Sequence, residues 1–342
     1  MTAPIVVWFK RDLRVTDHEA LVSAVKEGPI IPLYVFEPEY WTNDFTSGRQ
    51  WSFLKDSLLS LDLQLSQMGQ PLWTAIGPIE EVLERLYQRF QFQRMVSHQE
   101  TGPGWTYQRD LKVKRWCEGH LVKWSQYRQH GVIRGLQQRQ GWAAQWAALM
   151  DHPQPETPEV LNGVGKPPKS VSEVLKDVSI KDGLIVSQQA GGRDTGIELL
   201  KSFLNERCET YRGGMSSPLT GELVCSRLSA HFSVGTVSLR EAWQHTLARR
   251  DELKEETGIS DAVFVEDFQY RTAYNFRHKG KRIDKEVFWY IAETETMSVN
   301  ISHEHREHLW LDWDSAMSQL THKESKGVLA AAKNHMHSIG RM

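Results

Sequence analysis

The chain has little cysteine: Cys117, Cys208 and Cys225 are scattered through 342 residues, with no CxxC pair and no histidine at metal-ligand spacing. That excludes a disulfide framework and a zinc module, and reads as reduced thiols in a reducing compartment. No apolar run approaches membrane-spanning length, and Met1-Thr2-Ala3-Pro4 lacks the basic-then-apolar pattern of a signal peptide, so a cytoplasmic protein that does not enter membranes is expected. A formal net charge of −2 gives no long-range attraction for nucleic acid, and any such affinity must come from a local basic patch. No GxGxxG and no Walker A stretch follows any strand signal, which removes the main warrant for a dinucleotide or triphosphate cradle. Internal repeats and low-complexity tracts are also missing.

What is present is the balance of an ordinary globular protein, 40% apolar and 25% charged, at a length that calls for two domains. Tryptophan is the exception: nine of the 13 lie in the first 150 residues, where packing accounts for most of them.

The first 130 residues alternate strand and helix signals. Ile5–Phe9 and Ile30–Phe36 are continuous apolar runs, as expected of strands buried on both faces. Trp51, Leu54, Leu58, Leu61, Leu65 and Met68 recur at three and four residues, the pattern of an amphipathic helix. Short strands follow at 72–75, 95–97 and 121–127, separated by helical segments. Five strands so arranged predict an α/β fold, a five-stranded doubly wound parallel sheet of Rossmann-like kind. Such a sheet binds ligands beyond the carboxyl ends of its strands, here the loops at 10–14, 37–49 and 98–105.

Residues 131–190 are punctuated by Pro and Gly without periodicity and read as an interdomain connector. From 191 to 342 the chain reads as an all-helical domain. Asp194-Thr195 can cap one helix, and Ser238-Leu239-Arg240-Glu241 forms a capping box for another.

Three segments carry chemistry. Trp8-Phe9-Lys10-Arg11-Asp12-Leu13-Arg14 runs a buried strand into a charged loop, which suits an acidic ligand or a salt-bridged boundary; composition favours the boundary. Tyr211-Arg212-Gly213-Gly214-Met215-Ser216-Ser217-Pro218-Leu219-Thr220 and Cys225-Ser226-Arg227-Leu228-Ser229-Ala230-His231 gather hydroxyls near helix starts, either a phosphate site or plain caps. Ser97 to Asp110 mixes aromatics with charge at a strand's carboxyl end, either a capped loop or part of a ligand or antenna pocket.

Taken in order, these segments resemble the photolyase/cryptochrome family, over about the first three quarters of the chain. WFKRDLR with Thr16-Asp17 is similar to that family's first strand and loop, and YRGGMSSPLT with SRLS to the start of its flavin-binding domain. The resemblance implies FAD held in a U-shape by the helical domain, with Tyr211, Cys225, Ser226, Arg227, Leu228 and Ser229 at its phosphates and ribityl chain. It also implies a second antenna chromophore of unspecified identity and a monomeric protein. The implied partner is DNA containing pyrimidine dimers, and the implied activity is a deoxyribodipyrimidine photo-lyase that cleaves carbon–carbon bonds by electron transfer from reduced FAD. The alternatives are a blue-light sensor without repair, or a truncated relative that holds flavin poorly.

Departures from the pattern matter as much. Cys225 stands where the family more often has Thr, and Ala230 where it has Pro. After about residue 257 the family's later flavin-binding motifs are not recognisable, so no catalytic residue is assigned. In that tail, 268–282 interleaves aromatics with bases and reads as a packed helix with a solvated basic end, or as a nucleic-acid grip. His303, His305, His308, His335 and His337 fit no metal signature, and no metal is expected.

Overall fold

The computed structural model describes residues 2–180, 189–257, 259, 261, 263–265, 268–278, 281–297, 299 and 309–341. These divide into two compact units, 1–246 and 247–342.

Unit one is built on strands β1 (Ile5–Phe9), β2 (Ile30–Phe36), β3 (Trp73–Ile76), β4 (Arg94–His98) and β5 (Lys123–Tyr127). All pairings are parallel, in the order β3-β2-β1-β4-β5. Helices α1 (Glu19–Val25), α2 (Gly48–Gln67), α3 (Ile79–Phe90) and α4 (Gly104–Gly119) connect them. Alternation along β1 explains why both faces are covered. Ile5, Val7 and Phe9 pack with Leu21 of α1 and Leu54, Leu58 and Leu61 of α2. Val6 and Trp8 point the other way, to Val82 and Leu83 of α3 and Val113 of α4. The five-stranded parallel sheet expected from the sequence is present, and the direction of winding reverses between β1 and β4.

Residues 131–180 hold helices α5 (Trp142–Asp151) and α6 (Val171–Lys176) and lie against the sheet rather than spanning open space. Ile30 bridges to Gly163, and Trp73 Nε1 donates to Gly165 O at 3.2 Å. Next come α7 (Arg193–Asn205), α8 (Tyr211–Gly214), α9 (Gly221–Val224), α10 (Ser229–Val234) and α11 (Leu239–Thr257). The capping box at 238–241 is half formed. Glu241 N–H donates to Ser238 Oγ at 2.9 Å, but the Glu241 carboxylate pairs with Arg193 instead of reaching back.

The turn between α10 and α11 is set directly against the β1–α1 loop. Leu13 N–H donates to Val234 O at 3.1 Å, and buried Arg14 Nη1 to Gly235 O at 2.9 Å. Gly235 has φ +75°, and a Cβ there would sit 2.3 Å from Arg11 O and 2.6 Å from Asp12 Cα, so only glycine fits without backbone movement.

In unit two the helical reading applies to α12 (Trp313–Gln319) and α13 (Lys323–Ser338), while four strands are described between them and α11. Short β6 (Val263–Phe264) pairs with β9 (Ala292–Glu293), and β7 (Tyr270–His278) pairs antiparallel with β8 (Lys281–Trp289). The packed helix expected over 268–282 is therefore corrected to a β-hairpin. Its arms are rich in Tyr, Thr, Phe, Val, Ile and Trp, which favour a pleated surface, and the sequence places Lys279-Gly280 between them.

Candidate functional site

Loops at the carboxyl ends of β1, β2 and β4 meet at the switch point of the sheet, where a crevice is expected. There they enclose a cavity of about 340 Å³. Trp8, Phe9, Tyr34, Tyr40, Trp41 and Phe53 supply six aromatic walls. Lys10, Arg11, Glu37, exposed Arg49, Glu100, Arg109 and Arg227 supply charge, and Ala230, Ser233 and Val234 of α10 close one side.

Ion pairs fix the charged floor. Arg109 Nη1 donates to Glu37 Oε2 at 3.1 Å, while its other amino group reaches Glu100 and, at 3.0 Å, Asp110 Oδ1. Lys10 Nζ lies 3.4 Å from Asp110 Oδ2, and Arg11 bonds Glu100 Oε1 at 3.0 Å and the Tyr40 hydroxyl at 2.7 Å. Lys10 and Arg109 both sit over the Trp8 ring, 4.6 and 4.8 Å from its centroid.

Burial moves these groups in different directions. It lowers the Lys10 pKa, although Asp110 and Glu100 pull it back up. Burial also raises Glu37 to about 7 despite Arg109, because a single shared cation does not offset the lost hydration. For Glu100 the balance is reversed: Arg109, Lys10 and Arg11 together overcome desolvation and hold its carboxyl below the ordinary value.

A buried cluster draws Asp12 and His98 from the first and third chemical segments and adds His18, which no motif marks. Asp12 Oδ2 is 2.8 Å from His98 Nδ1 and 3.1 Å from His18 Nε2, the latter out of line for a hydrogen bond. Asp12 Oδ1 accepts from Lys10 N–H at 2.7 Å. Burial alone would raise Asp12, but His18 and His98 bring it well below the usual carboxylate value, while burial drives His98 down to about 3. The three ligand-type atoms lie within 4.8 Å, a spacing compatible with a metal. However, His18 Nδ1 accepts from Leu21 N–H at 3.0 Å, which leaves the proton on Nε2 and no lone pair facing the cluster. The cluster is a brace for the 10–18 loop. His303, His305 and His308 lie outside the described residues.

Of the six residues implied for FAD, Arg227 alone lines this cavity. It adopts φ +59° and pairs with Glu222. Tyr211 is 38% exposed and packs edge-on against Phe203. Ser226 Oγ caps Leu228 N–H at 3.5 Å, Leu228 is buried among the helices, and Ser229 is exposed at the start of α10. Half-buried Cys225 offers its carbonyl to Arg207, which also reaches Ser226 O at 3.4 Å. Arg207 has no signal in the sequence, since an arginine between helices carries no motif. From the first chemical segment Trp8, Phe9, Lys10 and Arg11 join the cavity, and from the third Glu100, Thr106 and Arg109 do so.

Comparison with known proteins fits this arrangement. The DNA photolyase family model matches residues 5–139. A deoxyribodipyrimidine photo-lyase of Agrobacterium fabrum is 25% identical over 82% of this chain and 61% of its own. Residues 5–139 are thus a photolyase-family domain, and the chain beyond them is similar to photolyases. Cryptochromes are also among the family members that it matches. Among solved structures, a class III photolyase from Agrobacterium tumefaciens superposes with a TM-score of 0.60 at 24% identity, covering 74% of this chain and 54% of that one. An archaeal photolyase from Sulfolobus tokodaii, solved with two FAD molecules, gives a TM-score of 0.55 at 24% identity, covering 74% and 56%. At these identities the two structures speak to the fold. The chain thus spans about three fifths of the curated photo-lyase's length. Among the described residues, no helix is long and apolar enough to cross a membrane.

Proposed function

We propose that this chain is a cytoplasmic, light-dependent flavoprotein of the photolyase type, acting as a monomer on DNA that contains pyrimidine dimers, with the α/β cavity as a second light-absorbing site. The observation that carries the reading is the cavity itself. Six aromatic rings above an ion-paired floor, at the switch point of a parallel sheet, suit a planar heteroaromatic ligand with an acidic tail.

Reduced FAD, when bound, would supply the electron that splits the dimer's carbon–carbon bonds. The part of its site supported here is the phosphate edge: Arg207 ties down the Cys225 and Ser226 carbonyls, half-buried Ser226 Oγ accepts from Leu228 N–H, and Ser229 is exposed at the start of α10. Tyr211, Cys225, Ser226, Arg227, Leu228 and Ser229 remain the proposed contacts. This edge suits a pyrophosphate, but among the described residues it does not enclose a flavin ring. That openness favours a second reading, a family member that senses light or repairs slowly because its flavin is held from one side.

The visible absorption spectrum of purified protein tests the flavin assignment. Illumination of the reduced protein with a dimer-containing oligonucleotide tests repair. Bound flavin with slow dimer loss supports the proposal. Protein that takes up neither FAD nor a planar chromophore after reconstitution would overturn it.

A further inference from the structure

We propose that Arg128, just past the edge strand β5, forms with Gln126 a binding site for a phosphate group. Arg128 Nε and Nη2 are both shielded from water, and among the described residues neither has a hydrogen-bond partner. Together these nitrogens make up one edge of the guanidinium, the fork that takes two oxygens of a single oxyanion side by side. Buried donors are nearly always paired, so two parallel ones left idle on the same side chain call for an acceptor.

The surrounding corner is rich in cations and short of acids. Asp110 is shared among Lys10, Arg109 and Arg134. Arg14 bonds the Gly235 and Asp17 carbonyls and the Gln129 amide rather than a carboxylate. Burial, and after it the charges of Arg128, Arg14 and Arg134, hold the His130 pKa below its ordinary value, so all three guanidiniums lie within electrostatic reach of one imidazole.

Gln126 adds a third donor. β5 pairs with β4 as far as Tyr127 opposite His98, and Gln99 N–H donates to Tyr127 O at 2.7 Å, which carries the extended chain on to Arg128. Side chains two apart on an extended chain share a face. Arg134 Nη1 donates to Gln126 Oε1 at 3.1 Å, which fixes the amide and turns its Nε2 the other way. Gln126 Nε2 is itself buried without a partner. A carboxylate has two oxygens, and the fork alone uses both; a phosphate brings a third for the amide. Arg128 as a whole is half-buried, so a modest swing of its side chain opens the fork to a small anion.

The site owes nothing to the chromophore reading, and its test uses the full chain without added cofactor. Thermal unfolding is followed in inorganic phosphate and, at matched ionic strength, in chloride or acetate. Phosphate should raise the wild-type midpoint in a saturable way, as a ligand of the folded state alone does, and acetate should do markedly less. R128Q should lose the phosphate response while its midpoint in chloride stays level or rises. R128K keeps the charge but not the fork, and calorimetry should show it binding phosphate about tenfold more weakly, the loss of one charge-assisted hydrogen bond. Q126E places an anion of the chain's own beside the fork and keeps an oxygen for Arg134. Its midpoint in chloride should rise and its phosphate response vanish. Wild-type protein that responds to phosphate no more than to chloride would overturn the proposal, as would a phosphate response that survives in R128Q or in Q126E.

Discussion

Asp17 Oδ1 accepts a 2.9 Å hydrogen bond from Arg240 Nε, joining residues 223 positions apart in a place where both side chains are almost wholly out of water. Ser238 Oγ donates to the other carboxylate oxygen, so Asp17 is fully engaged at the start of α11. A buried pair is a weak source of net stability, but removing one partner strands the other charge.

Arg240→Met is therefore expected to destabilise unit one by about 3–5 kcal/mol. Arg240→Lys should recover only part of this, since an ammonium cannot reproduce the guanidinium's two-pronged geometry. Urea unfolding monitored by tryptophan fluorescence measures both. A destabilisation below about 1 kcal/mol for Arg240→Met would show that the tie to α11 is incidental.

Acid sensitivity should come from buried histidines. Burial lowers His98 to about 3 and His231 to about 4, so between those values and about 6.5 the unfolded chain binds protons that the folded chain refuses. Stability is then fully present above about pH 6.5 and falls as pH drops, each histidine adding a slope of about 1.4 kcal/mol per pH unit. Glu37, raised to about 7, works in the opposite sense from about pH 4.5 to 7. His98→Asn keeps a donor for Asp12 and should flatten the stability profile below pH 6.5 by one proton's worth. Urea midpoints from pH 4.5 to 7.5 show whether it does.

Glu37 should also tune the cavity. Its carboxyl is half ionised near pH 7 and lines the space beside Arg109. An anionic planar ligand such as flavin mononucleotide is expected to bind up to about tenfold more weakly as pH rises from 6 to 8. Glu37→Gln should remove that dependence while keeping its hydrogen bonding to Arg109. Fluorescence titration across this pH range decides it. A dependence that survives Glu37→Gln assigns the titration elsewhere.

Replacing Ser226 and Ser229 together with Ala should lower flavin occupancy severalfold, since a hydroxyl hydrogen bond is worth about 1 kcal/mol. Circular dichroism of the variant should match the wild type, because neither side chain is buried. The ratio of flavin to protein absorbance in purified samples reads the result. Unchanged occupancy would reduce the hydroxyl pair to helix capping.

The α/β half is legible because a buried parallel strand has nowhere to put polar residues, so Ile5–Phe9 and Ile30–Phe36 declare themselves. The crevice follows from topology, and the loops at 10–14, 37–49 and 98–105 all reach it. Its inner walls do not follow. Tyr34 lies within a strand and Phe53 within a helix, and nothing in a linear pattern says which core aromatic turns toward a void. The Asp12–His18–His98 brace is hidden because its members come from a loop, a helix cap and a distant strand. The hairpin at 270–289 resembles a helix in sequence because interleaved aromatics and bases carry no clear period, and only the register separates the two faces.

The junction between the β1–α1 loop and the α10–α11 turn also bears on synthesis. Gly235 and Arg240 leave the ribosome more than 220 residues after Arg14 and Asp17, since the hydrogen bonds they make span 221 and 223 positions. Until they arrive, the Asp17 carboxylate lacks its arginine and Arg14 holds only Asp17 O and Gln129, and closing so long a loop carries a large entropic cost. The N-terminal sheet can collapse early, but its carboxyl edge can lock only once residue 240 is made. A nascent chain halted before that point should be open to proteases at residues 10–18 and resistant within its strands.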